Sequence, residues 1–197
     1  MTTDTSKASK GLIKDLKSIP SPMFYIFAAV AVFAGLFVLG ITPYGVTATI
    51  FLLLLVACAS ADIKNGIIPD LIVIWIAVLA VINLIVIDAF SVESIVDRLI
   101  GAVCVSVPML IASLILKGAF GGGDIKLTAA AGLFLGWKAV IAGAVVGLFF
   151  AGLYSVILLL IKKLKFRSKI RLAPFLVFGF SYATLFGNLL ISMLFNW

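Results

Sequence analysis

Long apolar blocks alternate with short polar or glycine-containing breaks along this chain, at residues 23–39, 45–61, 69–87, 98–116, 125–136, 138–161 and 173–195. A helix needs about 20 apolar residues to cross the hydrocarbon core of a bilayer. The pattern therefore predicts an all-α polytopic membrane protein with about seven transmembrane helices. The first block follows a polar stretch carrying Lys7, Lys10, Lys14 and Lys17. A cleaved signal peptide has a shorter apolar core and a small-residue cleavage site soon after it, whereas here Thr42, Pro43, Tyr44 and Gly45 lead straight into the next block. The first block thus reads as a retained signal anchor. Leu55-Val56-Ala57-Cys58 is similar to a lipoprotein acylation site but lies too deep in the chain to act as one.

Composition strengthens this picture. Of 197 residues 64% are hydrophobic, the mean hydropathy is +1.32, and a soluble domain is only about half apolar. The net charge of +7 would suggest a nucleic-acid partner in a soluble chain, but its distribution argues for a lipid bilayer and no nucleic acid. With the N-terminus in the cytoplasm, segments 1–22, 62–70, 117–126 and 162–171 lie inside and hold 13 of the 15 Lys and Arg, leaving only Arg98 and Lys138 outside. The positive-inside rule favours that orientation. It places the cluster Lys162, Lys163, Lys165, Arg167, Lys169, Arg171 beside anionic lipid. The spacings Gly132 to Gly136 and Gly143 to Gly147 suit close helix approach in lipid.

Histidine is absent, which excludes Ser-His and Cys-His catalysis and histidine-ligated zinc. Cys58 and Cys104 sit inside apolar runs, where a thiol serves as a small packing group. Acid–base chemistry must rest on carboxylates. Asp4 and Asp15 lie in the N-terminal tail, and Asp88, Glu93 and Asp97 read as one acidic, solvated outer loop. That leaves Asp62, Asp70 and Asp124, each flanking a span on the cytoplasmic side. An ionisable group at membrane depth is costly and points to function.

Asp62 closes the second block, at a helix C-terminus where the dipole favours a cation instead. Asp70 follows Pro69, as the first acid of a helix should, and reads as a helix start. Asp124 follows Gly121, Gly122 and Gly123, a run disfavoured unless the backbone bends sharply or approaches something closely. If Gly136-Trp137 is a turn, the helix from Ile125 to Gly136 spans only about 18 Å of a roughly 30 Å core. Asp124 would then lie below the surface, on irregular backbone facing protein or a water-filled cavity. Two carboxylates brought together share one proton, so one can take a proton from water while the other donates to a carbonyl.

These residues resemble the type IV prepilin and preflagellin peptidases, polytopic aspartic proteases of the G-x-G-D class. Asp62-Ile63-Lys64-Asn65-Gly66-Ile67-Ile68-Pro69-Asp70 is similar to the family's first-aspartate segment, and Gly121-Gly122-Gly123-Asp124-Ile125-Lys126-Leu127 to its second. The resemblance implies that Asp62 and Asp124 are the catalytic pair, with Gly121, Gly123, Lys126, Pro69 and Asp70 as supporting motif residues. No metal or cofactor is implied. It further implies a prepilin-like precursor (type IV pilin, pseudopilin or archaellin) as partner, cut after a short basic leader at the cytoplasmic face of the plasma membrane. Residues 45–197 would supply a six-helix peptidase core, and 1–44 a basic tail with an extra anchor. Larger bacterial members add a cytoplasmic insert with zinc-binding cysteine pairs and an N-methyltransferase activity. Neither those cysteine pairs nor room for the insert is seen here, so peptidase without methylation is expected. A presenilin or signal-peptide-peptidase relative would carry Tyr before its first aspartate, where this chain has Ala61. Two other classes use the same acids: a lipid-phosphate transferase holding Mg²⁺ on Asp62, Asp70 and Asp124, and a small proton-coupled transporter.

Overall fold

The computed structural model describes residues 22–87, 91–116, 120–161 and 171–195. The basic tail, Asp88, Lys117 and residues 162–170 of the basic cluster lie outside the described residues. Regular structure within the described residues is helical throughout: α1 (Pro22–Leu39), α2 (Pro43–Asn65), α3 (Asp70–Val86), α4 (Val92–Cys104), α5 (Ser106–Ile115), α6 (Gly122–Leu135), α7 (Trp137–Leu160) and α8 (Ala173–Phe195). Helices α4 and α5 form a single apolar stretch, Val92–Ile115, so each of the seven expected blocks is helical. Pro43–Asn65, Val92–Ile115 and Trp137–Leu160 are long and apolar enough to cross a membrane by themselves, while Phe24–Leu39, Asp70–Val86 and Ala173–Gly187 are shorter apolar helices. Helix α6 has 14 residues, about 21 Å.

The pattern of exposure is that of a lipid-facing bundle. Phe33, Leu114, Phe149 and Leu160 are at least two-thirds exposed, an apolar surface that water would not tolerate over such an extent. The interior is built around α2 and α6, whose Phe51 and Phe134 rings stack at 4.2 Å between centroids. Phe51, Leu55, Ile76, Leu127, Val140, Leu176 and Phe180 complete a core from α2, α3, α6, α7 and α8. Glycines let backbones meet where a side chain would not fit. A Cβ on Gly147 would stand 2.7 Å from the Phe175 carbonyl oxygen, and one on Gly143 3.0 Å from that of Gly179. Gly132 meets Gly101 of α4 in the same way. Both expected glycine spacings thus touch a neighbour, but Gly136 serves differently: it ends α6 with φ +80°.

Two expectations are corrected. Glu93 and Asp97 lie within α4 instead of in a solvated loop, because Ser91 caps the helix, its hydroxyl accepting from the Ser94 N–H at 3.2 Å. The block read as 98–116 falls within one apolar helical stretch, Val92–Ile115, in which α4 meets α5 at Val105, still right-handed at φ −106° and ψ −40°. Pro108 lacks the N–H that would bond to the carbonyl of Cys104, and its ring crowds that carbonyl. Finally, Asp124 is not on irregular backbone. Gly122 and Gly123 are helical and Gly121 is the N-cap, at φ −71° and ψ 143°, so Asp124 occupies the first turn of α6.

Candidate active site

The first-aspartate segment is a helix end, a turn and a helix start. Gly66 ends α2 at φ +67°, with its N–H donating to the carbonyl of Asp62, a left-handed cap that glycine adopts without steric cost. Pro69 at φ −65° precedes α3, which starts at Asp70. Asp62 thereby sits in the last turn of α2 with 7% of its surface exposed. Its Oδ2 is buried with no hydrogen-bond partner. Burying a carboxylate oxygen unpaired costs several kcal/mol unless it is protonated or engages another group, and nothing in the packing of α2 requires an acid there. Arg171, at the start of the segment entering α8, is the cation whose charge acts on Asp62.

The second segment explains its own glycines. Asp124 is the third residue of α6, and the backbone N–H of the N-cap residue Gly121 hydrogen-bonds to its carboxylate, half of a capping box. A Cβ on Gly121 would lie 3.0 Å from Asp124 Oδ2, so a side chain there would press on that carboxylate. A Cβ on Gly123 would lie 3.1 Å from the Cβ of buried Ile68, which belongs to the first segment. At Gly122 the same construction meets nothing within 4 Å. Steric need falls on the two glycines of the G-x-G-D pattern and spares the residue between them. Ile68, which sequence reasoning left unassigned, is therefore the packing contact between the segments.

Both aspartates line one cavity of about 640 Å³, together with Ile67, Pro69, Asp70, Gly121, Gly123 and Lys126. The charge on Asp62 acts on Asp124. Asp70 and Lys126 stand at the rim, where Lys126 Nζ is 2.8 Å from Asp70 Oδ1 and both side chains are more than half exposed. All seven residues singled out from the sequence meet at this cavity. Asp70 is a helix start, as expected, and it is ion-paired as well. Such an arrangement can hold an extended peptide against a carboxylate pair. Among the described residues no three His, Cys, Asp or Glu side chains gather as a metal-binding group.

Comparison with known proteins gives the family. The chain is 32% identical over 146 residues to the prepilin leader peptidase/N-methyltransferase of Bacillus subtilis (strain 168), a match covering 74% of this chain and 57% of that protein. The chain thus spans a little over half the length of that relative. No solved structure matches it. Residues 49–160, which contain both aspartates, match the type IV leader peptidase family, and the chain belongs to that family.

Proposed function

We propose that this protein is a membrane aspartic endopeptidase that removes the short basic leader of a prepilin-like precursor at the cytoplasmic face of the plasma membrane. The observation that carries the proposal is the meeting of Asp62 and Asp124 in one cavity at the ends of α2 and α6. Asp62 and Asp124 share one proton in this reading. The ionised member removes a proton from water as its oxygen attacks the scissile carbonyl carbon. The protonated member donates to the carbonyl oxygen. Collapse of the tetrahedral species breaks the C–N bond, and the amine leaves with the proton first taken from water. The unpartnered Oδ2 of Asp62 suits a group waiting for that water. Gly121, Gly123 and Pro69 shape the cavity wall, while Lys126 and Asp70 hold its rim.

Residues 45–197 form the peptidase core in this reading and 1–44 anchor it. The Bacillus subtilis relative is named as an N-methyltransferase as well; the activity proposed for this chain is the peptidase alone. The proposal is tested with purified protein in lipid vesicles and a synthetic prepilin-like peptide, with product followed by mass spectrometry. Cleavage should persist in excess EDTA, which separates the peptidase from a Mg²⁺-dependent phosphotransferase using the same acids. Asp62→Asn and Asp124→Asn should each lower kcat by at least about a thousandfold while the protein stays folded. The double variant should be no worse, because the pair acts as one unit. In Asp124→Asn the new amide oxygen can still accept the Gly121 N–H, so a folding defect is not expected there. Cleavage at the unsubstituted rate by either single variant would refute the proposal.

A further inference from the structure

The cavity lies at one end of α2, α3 and α6, and at their other end a partly buried polar chain ties the same three helices together. Helix α6 stops at Leu135 because Gly136 turns at φ +80°, leaving its last carbonyls without intrahelical donors. Such carbonyls need donors from outside the helix. Arg98, from α4, supplies them: its Nη1 donates to the carbonyls of Leu133 at 3.0 Å and Phe134 at 2.9 Å. Its Nη2 donates to Asn83 Oδ1 of α3 at 2.7 Å, and Asn83 Nδ2 donates to Thr47 Oγ1 of α2 at 2.9 Å. Asn83 is fully buried. The residue before Arg98 addresses the other side of the same turn. The Asp97 carboxylate lies against Gly136, where a Cβ would collide with it, at the N-terminus of α7. Adjacent residues thus place a cation at the negative end of α6 and an anion at the positive end of α7.

We infer that Arg98 is a positioning residue for the candidate active site, fixing the height and tilt of α6 and thereby the placement of Asp124 opposite Asp62. From Asp124 to Leu133 is nine residues, about 14 Å of rigid helix, so a shift at the Arg98 end is delivered to the cavity with little loss. At the cavity end the ion pair from Asp70 to Lys126 is exposed, so solvent weakens it and it cannot hold the register alone. The guanidinium is required as a fork, because an ammonium on a shorter reach cannot serve two carbonyls and Asn83 together.

The inference rests on the peptidase reading for its kinetic readout, and a second readout is independent of it. With the peptide in vesicles, Arg98→Lys should lower kcat about tenfold with KM changed less than about twofold, since misplacement by an ångström weakens reaction more than binding. Arg98→Met should lower kcat further, and Asn83→Leu, which leaves the α6 carbonyls capped, should fall between the parent and Arg98→Lys. In parallel, spin labels are attached through Ile63→Cys and Gly122→Cys in a Cys58→Ala, Cys104→Ala background. They should give one narrow distance distribution that Arg98→Lys shifts or broadens. An unchanged distribution overturns the inference whatever kcat does, and so does a changed distribution with parental kcat. If Arg98→Met fails to fold, Arg98→Lys and Asn83→Leu decide. Absence of cleavage by the unsubstituted protein overturns the peptidase reading instead, and the distance then decides the positioning role alone.

Discussion

Three consecutive glycines precede Asp124, and only two of them have neighbours that a methyl group would strike. Gly122→Ala should therefore keep kcat/KM within about twofold and leave the unfolding midpoint unchanged or slightly raised, since Gly122 is the first residue of α6, where the interior penalty of glycine does not fully apply. Gly121→Ala presses on the Asp124 carboxylate and should reduce kcat/KM at least about tenfold with little change in the unfolding midpoint. Equal effects at the two positions would contradict this steric account. Asp70→Asn should retain most activity, losing less than about fivefold, because the pair it breaks is exposed and worth roughly 0.2–1 kcal/mol. Raised salt should weaken the parent slightly and leave Asp70→Asn unmoved. At this scale the sequence is legible where chemistry is unusual. Asp62 stands out as an acid at the wrong end of a helix, and Asp124 as an acid after glycines. Arg98 and Asn83 were not legible: a lone arginine beside a membrane span reads as a misplaced topology charge until the carbonyls it caps are seen.

Helix existence follows from apolar block length, but helix ends depend on caps and partners that hydropathy does not report. The start of α4 at Val92 is set by the Ser91 hydroxyl, a signal present in the sequence but outweighed by three nearby acids. The irregularity at Val105, one turn before Pro108, is hidden inside a uniformly apolar block. Glycine spacing along one helix shows that close approach is wanted, not by which partner. Gly101 and Gly179, the partners of Gly132 and of Gly143, have no spacing signature of their own. Gly101→Ile should therefore destabilise the protein by several kcal/mol and abolish activity, since its side chain would enter the backbone of α6 near Gly132 and Gly136. Gly152→Ile, at an α7 position open to its surroundings, should leave the thermal midpoint in detergent within a few degrees. A comparable loss at Gly152 would contradict the packing account, because isoleucine is a better helix former than glycine.

For the whole molecule, the lysines at the two ends of α6 turn the orientation into a measurable quantity. Lys126 lies at the cavity rim, and Lys138, over the Trp137 ring at 5.6 Å, marks the opposite end. Helix α6 itself has 14 residues, about 21 Å against a hydrocarbon core of about 30 Å, so one end or both must be reached through a recess in the bundle. The proposed function requires the Lys126 end to face the cytoplasm, the orientation that the positive-inside rule favours for the sequence. In a Cys58→Ala, Cys104→Ala background, Lys126→Cys should react with a membrane-impermeant maleimide in inverted vesicles and not in intact cells, and Lys138→Cys should show the reverse. Labelling of Lys126→Cys from outside intact cells would place the cavity on the far side of the membrane. A peptidase there could not meet precursors whose basic leaders remain in the cytoplasm, so the same measurement bears on where in the export of such precursors the cut is made.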